Sequence, residues 1–408
     1  MAGAGNGHDP TPSDFIDAFM AYTSGIPSPE LFRLWSAISA IAGALERRIW
    51  IETGRGQLYP NLYVLLVAPP GVGKDQAISR VEDLWYATKR LFVAPDSVTS
   101  ASLLDSLGEA DRKIVINGHL AFEYHSLVVP AAEFGVLVPA HDMEFLSRLN
   151  KIFDCPRALR VRRKYIKEEV SIIKPQLNIL AGSQPGFLAS LLPEEAWSMG
   201  FTSRLIMIYA NAGPVVDIFG DGDKRESIRD MLVAKMESLS EMNGLVSWEL
   251  AAMTELKKWH MAGGEPRPEH TKLTHYNSRR TLHLLKLTMI ACASRGSDMV
   301  ITLEDLERAK TWLFHAEYLM PDIFRDMVGR SDAQIIQEMH YFMWRIYAAD
   351  KEHRPIHTAR IVNFLTNRVP SEKLLKLIEI AEKSNVIARL AGTELYVPRP
   401  RNEHGGIE

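Results

Sequence analysis

Residues 62–75 read Leu-Tyr-Val-Leu-Leu-Val-Ala-Pro-Pro-Gly-Val-Gly-Lys-Asp: an apolar run, a Pro/Gly-rich turn, and a lysine that opens a helical stretch. A strand that ends in such a turn and restarts as a helix restricts the chain to a layered α/β arrangement with this strand inside a sheet. It is also the layout of a phosphate-binding loop, in which backbone N–H groups and a helix N-terminus face anionic oxygens. The usual first glycine is Ala68, and the hydroxyl that normally follows the lysine is Asp75. Pro70, Gly71, Val72, Gly73, Lys74, Asp75 and Gln76 form the expected cradle, with Lys74 neutralising β/γ-phosphates. The bland alternative is a strand-to-helix turn that binds nothing.

From about 61 to 211, apolar runs at 114–116, 127–129, 177–180 and 205–209 alternate with helical stretches. That rhythm predicts an α/β fold with a mainly parallel sheet covered on both faces. Ahead of it, Ser28-Pro29-Glu30 reads as a helix start with Ser28 at N-cap. Leu31, Leu34, Trp35, Ile38, Ile41 and Leu45 then recur at helical spacing. After Asn211-Ala212-Gly213-Pro214 the pattern turns helical, and Thr302–Asp305 reads as a capping box opening a helix to about Leu319. Beyond Ser331, helices at 332–348, 358–366 and 371–383 and two β-prone pieces form the pattern of a winged helix. Leu374, Leu377 and Ile378 form its core stripe, and Lys373, Lys376 and Lys383 a phosphate-facing row.

The predicted organisation is a tail (1–12), a helical lead-in (13–60), a nucleotide-binding core (61–213), a helical lid (214–330), a winged helix (331–398) and a second tail (399–408). The length of 408 residues suits two or three domains, and 46% hydrophobic with 24% charged residues is ordinary globular composition. Net charge is −3, so a nucleic-acid surface has to be a local patch. No stretch of about 18 apolar residues marks a membrane span. The start shows no signal peptide, and two distant cysteines, Cys155 and Cys292, suit a reducing compartment, so a cytoplasmic protein is expected.

Glu133 follows the 127–129 run, where nucleotide hydrolases of this layout place an Asp-Glu pair that serves Mg²⁺ and water. Here Ala132 replaces the Asp while Glu133 remains, which leads to the hypothesis that Asp75 supplies the lost carboxylate. The candidate metal ligands are thus Asp75 and Glu133; the rival is a slow or binding-only site. The alternative for Glu133 is an ordinary strand-end acid. Ser183 and Gln184, in the turn after 177–180, are candidates to sense the γ-phosphate, whereas Asn178 reads as a buried hydrogen-bonding residue. Residues 157–167 hold Arg157, Arg160, Arg162, Arg163, Lys164, Tyr165 and Lys167, six basic groups around a tyrosine. They suit a nucleic-acid contact, against the alternative of a solvated basic face. Arg204, in Gly200-Phe201-Thr202-Ser203-Arg204, is either a structural ion-pair partner or an arginine finger.

Together these motifs resemble the AAA+ P-loop ATPases of phages and mobile elements, in particular a helicase-like family known as a domain of unknown function. The matching pieces are Tyr59–Tyr63 leading into Ala68–Lys74, Glu133-Phe134, Phe153-Asp154-Cys155-Pro156, and Gly200–Arg204. The resemblance implies ATP and Mg²⁺ as cofactors, Lys74 on phosphate, Glu133 activating water, and Arg204 acting on a neighbouring subunit. It implies that 157–167 matches the DNA-gripping hairpin of superfamily 3 helicases, and that Arg279 or Arg280 stands where a lid sensor arginine would. The implied activity is a ring-forming, hexameric replicative helicase holding single-stranded DNA in its pore. A replication protein could meet the winged helix. An ATP-dependent loader with slow turnover and, more weakly, a small-molecule kinase are the alternatives.

Overall fold

The computed structural model describes residues 14–95, 100–116, 119–140, 142–162, 169–192, 196–197, 200–217, 222–296, 298–366, 369 and 371–399. The chain divides at 324/325 into two compact units. In the first, helices α1 (Phe15–Tyr22) and α2 (Glu30–Leu45) precede strands β1 (Ile49–Thr53) and β2 (Gly56–Leu58). The apolar stripe of α2 is buried as its spacing requires, apart from half-buried Leu34. Its cap differs from expectation: Pro29 holds the N-cap position, and the Ser28 hydroxyl is buried with no partner among the described residues.

The sheet at the centre takes strands β3 (Tyr63–Val67), β4 (Asp111–Ile116), β5 (His119–Ala131), β8 (Pro175–Ser183) and β9 (Leu205–Tyr209) in the order β4-β5-β8-β3-β9. Pairs β5–β8, β8–β3 and β3–β9 are parallel, and only β4–β5 is antiparallel. Every residue of β3, β8 and β9 is buried, the continuous burial that a parallel sheet covered on both faces demands. Helix α3 (Lys74–Ala87) packs against α2, where Gly43 permits a close approach to Trp85. A bridge from Val93 to Val128 adds one further parallel contact beside β5. Three more helices, α4 (Ser100–Glu109), α5 (Phe134–Leu137) and α6 (Met143–Phe153), lie between β3 and an antiparallel hairpin, β6 (Ala158–Arg162) with β7 (Glu169–Ile173). A short helix, α7 (Pro185–Leu191), follows β8.

The remainder of this unit is mostly helical, including Gly222–Glu241, Leu250–Met261 and Arg280–Ser294. The capping box forms as read: Thr302 N–H meets the Asp305 carboxylate at 2.9 Å, and Asp305 N–H meets the Thr302 hydroxyl at 3.3 Å. The helix it opens does not stop near Leu319. It runs from Leu303 to Ala349, through Pro321, and takes in the separately expected 332–348 helix. Leu306, Leu313, Met320 and Ile323 continue one buried stripe past the point where the proline removes a backbone donor.

The second unit, from Arg325, contains the end of that helix, helices Thr358–Thr366 and Ser371–Lys383, and a small sheet of β10 (Ile356–His357), β12 (Leu395–Pro398) and β11 (Ile387–Arg389) in that order. The β10 strand was not expected. Leu374, Leu377 and Ile378 are buried as the stripe requires. Lys373, Lys376 and Lys383 are exposed, with Lys383 paired to Glu379 at 2.7 Å. Among the described residues no helix is long and apolar enough to cross a membrane.

Candidate functional site

The loop after β3 turns through Gly71 at φ +78° and Gly73 at φ +87°, left-handed conformations that favour glycine. At Gly73 a side chain also has no room, since a Cβ would lie 1.8 Å from the Pro27 carbonyl oxygen. Gly73 is the N-cap of α3 and brings no side-chain cap, so first-turn N–H groups are left for a ligand. Lys74 folds back over the loop, its Nζ donating to the carbonyls of Ala68 at 3.1 Å and Pro69 at 3.2 Å. Burial pulls its pKa below the usual lysine range, while the nearby charges of Asp75 and Glu133 act against that pull.

Ser183 lies opposite Val67 in the β3–β8 register, and its carbonyl accepts from Ala68 N–H at 3.1 Å. Gln184 is the N-cap of α7, and Glu133 the N-cap of α5 just beyond β5. Strands β5 and β8 approach closely here: a Cβ on Gly182 would sit 2.4 Å from the Ala132 carbonyl oxygen. The cradle Pro70–Gln76, Glu133, Ser183 and Gln184 therefore gather at the C-terminal ends of β3, β5 and β8. Asn178 does not belong with them. It is buried near the start of β8, accepting the Leu62 N–H at 3.0 Å. Among the described residues no group of three or more His, Cys, Asp or Glu forms a metal cage. Asp75, exposed in the first turn of α3, and Glu133 are two carboxylates flanking Lys74, a donor set that suits a hard cation completed by phosphate oxygens.

Arg204 stands at the other end of the sheet, immediately before β9, whose first residue pairs with Tyr63. Its guanidinium is buried and holds Asp154 through both carboxylate oxygens, at 2.6 and 3.3 Å, while also donating to the Gly200 carbonyl at 2.9 Å. Arg279 reaches the same carboxylate at 3.5 Å. Arg280 points elsewhere: with only 2% of its side chain exposed, it pairs with Glu317 at 2.6 Å inside the helical region. Neither arginine is brought to the Lys74 end.

The helix Arg280–Ser294 is fixed to this end by two further side chains. His283 Nε2 lies 2.9 Å from the Ser203 carbonyl, and its Nδ1 is buried with no partner among the described residues. Burial lowers its pKa to about 3, which fixes the neutral ring with Nε2–H as the donor. Lys286 Nζ donates to the Asn61 carbonyl at 2.9 Å and to its side-chain oxygen at 2.5 Å, 4.2 Å from the Phe153 ring centroid. Burial draws its pKa down to about 8. Sequence reading missed Asp154, His283 and Lys286 as partners. The available signal was the spacing 279, 283, 286, which places three basic groups on one face of a largely apolar helix.

Within the basic segment, Ala158–Arg162 form the first strand of the β6–β7 hairpin, with Arg162 opposite Glu169. Arg157 and Arg160 are exposed. Arg163, Lys164, Tyr165 and Lys167 lie outside the described residues. The base of the hairpin is fastened by buried Arg47, which donates to the carbonyls of Cys155, Pro156 and Pro175. No family model matches the chain, and no curated protein matches it.

Proposed function

We propose that the chain is an AAA+ nucleoside triphosphatase that acts as a ring-forming DNA helicase or translocase, with a C-terminal winged helix. The observation that carries the reading is the gathering of Lys74, Asp75, Glu133 and Ser183 at the C-terminal ends of three parallel strands, under a loop fitted to phosphate. The sheet order supports it too, because β8 lies between the Lys74 strand and the Glu133 strand and brings Ser183 to both.

In this reading Lys74 leaves the Ala68 and Pro69 carbonyls for the β/γ-phosphates of ATP. Glu133 orients the attacking water, and Ser183 contacts the γ-phosphate. Bound Mg²⁺ would neutralise the phosphate oxygens, held by the carboxylates of Asp75 and Glu133. Arg204 cannot reach its own loop, because β3 and β9 run in register for four residue steps, roughly 13 Å, between the two. It serves the neighbouring protomer's nucleotide. The hairpin carrying Arg157, Arg160 and Arg162 meets the DNA backbone in the pore. One observation favours a slow loader instead: Arg204 is held by Asp154 of its own chain.

Strand unwinding and ATPase rates of the intact chain, with Lys74→Ala and Arg204→Ala, test the proposal. Both variants are expected to lose about 10²-fold or more in turnover and to stop unwinding. ATP-dependent DNA binding with no unwinding by the unaltered chain points to the loader. A particle that stays monomeric with ATP sinks the ring.

A further inference from the structure

The second unit carries a groove of about 740 Å³ between two of its helices. One wall is the end of the helix Leu303–Ala349, which contributes Tyr341, Phe342, Arg345 and Ile346; the other is the helix Thr358–Thr366, with Arg360 and Phe364. The first wall runs from Glu338 to Ala349 at spacings of three and four residues, so it is one continuous face of that helix. A different stripe of the same helix, Ile336, Met339 and Met343, fills the core of the unit with Ile361 and Leu365. The groove face is therefore surplus to the unit's own packing, and Tyr341 on it is 65% exposed.

Phe342 and Phe364 stack with ring centroids 4.3 Å apart and join the two walls. Arg345 and Arg360 each lie about one helical turn from that stack, and both line the groove. Neither has a hydrogen bond or ion pair among the described residues. The carboxylates at the two ends do not answer them. Asp350 is paired with Arg354 at 3.2 Å, and Glu338 is two turns, about 10 Å, from Arg345 along the helix. Elsewhere on this unit Arg354, Lys373 and Lys383 each find a carboxylate of their own. Two arginines without one, set in aromatic surface, make the middle of the groove a place for external carboxylates.

We propose that this groove docks an amphipathic helix of a partner protein, its apolar stripe on Tyr341, Phe342, Ile346 and Phe364 and its acidic residues against Arg345 and Arg360. No strand edge lines the groove, so a partner meets side-chain ridges rather than backbone donors, which suits a helix and not an added strand. The wall from Glu338 to Ala349 is about 17 Å long, room for anchors at i, i+3 or i+4, and i+7. Glu338 and Asp350 border the groove and would repel a phosphate backbone, which sets nucleic acid aside in favour of a peptide. Tyrosine and arginine are also the side chains that dominate binding energy at protein interfaces. The proposal stands on the second unit alone and is independent of the ring reading.

Fluorescence anisotropy with the full chain at about 0.15 M salt tests it. The probe is a labelled peptide of about 14 residues, with leucines at i, i+3 or i+4, and i+7 and glutamates between them. One control peptide carries lysines for the glutamates, and a second carries serines for the leucines. The glutamate–leucine peptide is expected to saturate below about 100 μM, and both controls to bind about tenfold more weakly or worse. Arg345→Glu combined with Arg360→Glu should lose about tenfold for the glutamate peptide and gain about as much for the lysine peptide. That reversal is one that misfolding cannot produce, and thermal unfolding of the variant verifies the fold. Tyr341→Ala should weaken the glutamate peptide while keeping the preference for acid. Absence of saturable binding, equal binding of the lysine peptide, or indifference to the double arginine variant overturns the proposal. A single-stranded oligonucleotide that displaces the peptide and loses affinity in the same variant gives the groove to nucleic acid. Self-association of the unaltered chain that disappears in that variant gives it to a second copy. Either result also overturns the proposal.

Discussion

At the C-terminal ends of β3, β5 and β8, Lys74 hydrogen-bonds only backbone carbonyls among the described residues, Asp75 is exposed, and the loop glycines Gly71 and Gly73 sit at positive φ. At the starts of β3 and β9 the polar groups of Arg204, Lys286 and His283 are buried and each is hydrogen-bonded: Arg204 to Asp154, Lys286 to Asn61, His283 to Ser203. Beside them Arg280 and Glu317 form a buried pair, to which Tyr276 adds a hydroxyl at 2.9 Å. One end keeps its polar groups available for a ligand. The other uses them to hold the helix Arg280–Ser294 at one place on the sheet. Substitutions should therefore affect stability strongly at the strand starts and weakly at the loop, with activity following the opposite order.

The largest effect on stability is expected for Glu317→Ala. It leaves Arg280 buried with its charge uncompensated and removes the acceptor for Tyr276, a loss of about 3–5 kcal/mol. Replacing both partners, Arg280→Met with Glu317→Leu, should restore most of it because no unpaired charge remains. Urea unfolding of the three proteins checks this. A single-variant loss below about 1 kcal/mol would mean that the strand-start end is no more tightly built than the loop.

Acid sensitivity comes next. The folded protein holds His283 neutral, with a pKa of about 3, against 6.5 when unfolded. Between those values the unfolded chain binds more protons, so stability falls as pH drops from 6.5 toward 3. By pH 4.5 this one residue costs about 3 kcal/mol relative to neutral pH. His283→Gln keeps a donor for the Ser203 carbonyl but cannot take up a proton. It should be less stable than the parent at pH 7.5 by about 1 kcal/mol, overtake it at about pH 6, and be ahead by about 2 kcal/mol at pH 4.5. Thermal unfolding across that range decides the matter; parallel acid limbs would remove His283 as the cause.

The difference between the two ends also explains what the sequence could show. Strand β3, its glycine turn and Lys74 are contiguous, and the strand's burial, the turn's φ values and the helix start are all local consequences of those residues. Glu133 and Ser183 were legible because each ends an apolar run of strand length. The strand-start network is tertiary. Nothing near Arg280 in sequence indicates that it meets Glu317, 37 positions away, or that Arg279 beside it turns instead to Asp154. The helix through Pro321 was missed for a related reason: a proline ends a helix by local rules, but a continued buried stripe overrides them here.

The smallest stability change, and the one that sharpens the loop side of the contrast, belongs to Asp75→Ser. Asp75 lies in the first turn of α3, where a carboxylate favours the helix dipole by about 0.3–1 kcal/mol, and little else holds it. The fold should scarcely register its loss. On the proposed reading chemistry should, because Ala132 leaves the Glu133 side with a single acid and Asp75 as the other hard-oxygen ligand beside Lys74. The serine variant restores the usual hydroxyl but not the missing carboxylate. Its ATPase rate is expected to fall, and its half-saturating Mg²⁺ concentration to rise about tenfold or more. Adding Ala132→Asp to Asp75→Ser returns an acid to the β5 side and should recover both quantities. A Mg²⁺ titration of turnover reads all three proteins; a single variant that is faster and needs less Mg²⁺ would show that Asp75 weakens the site by repelling phosphate.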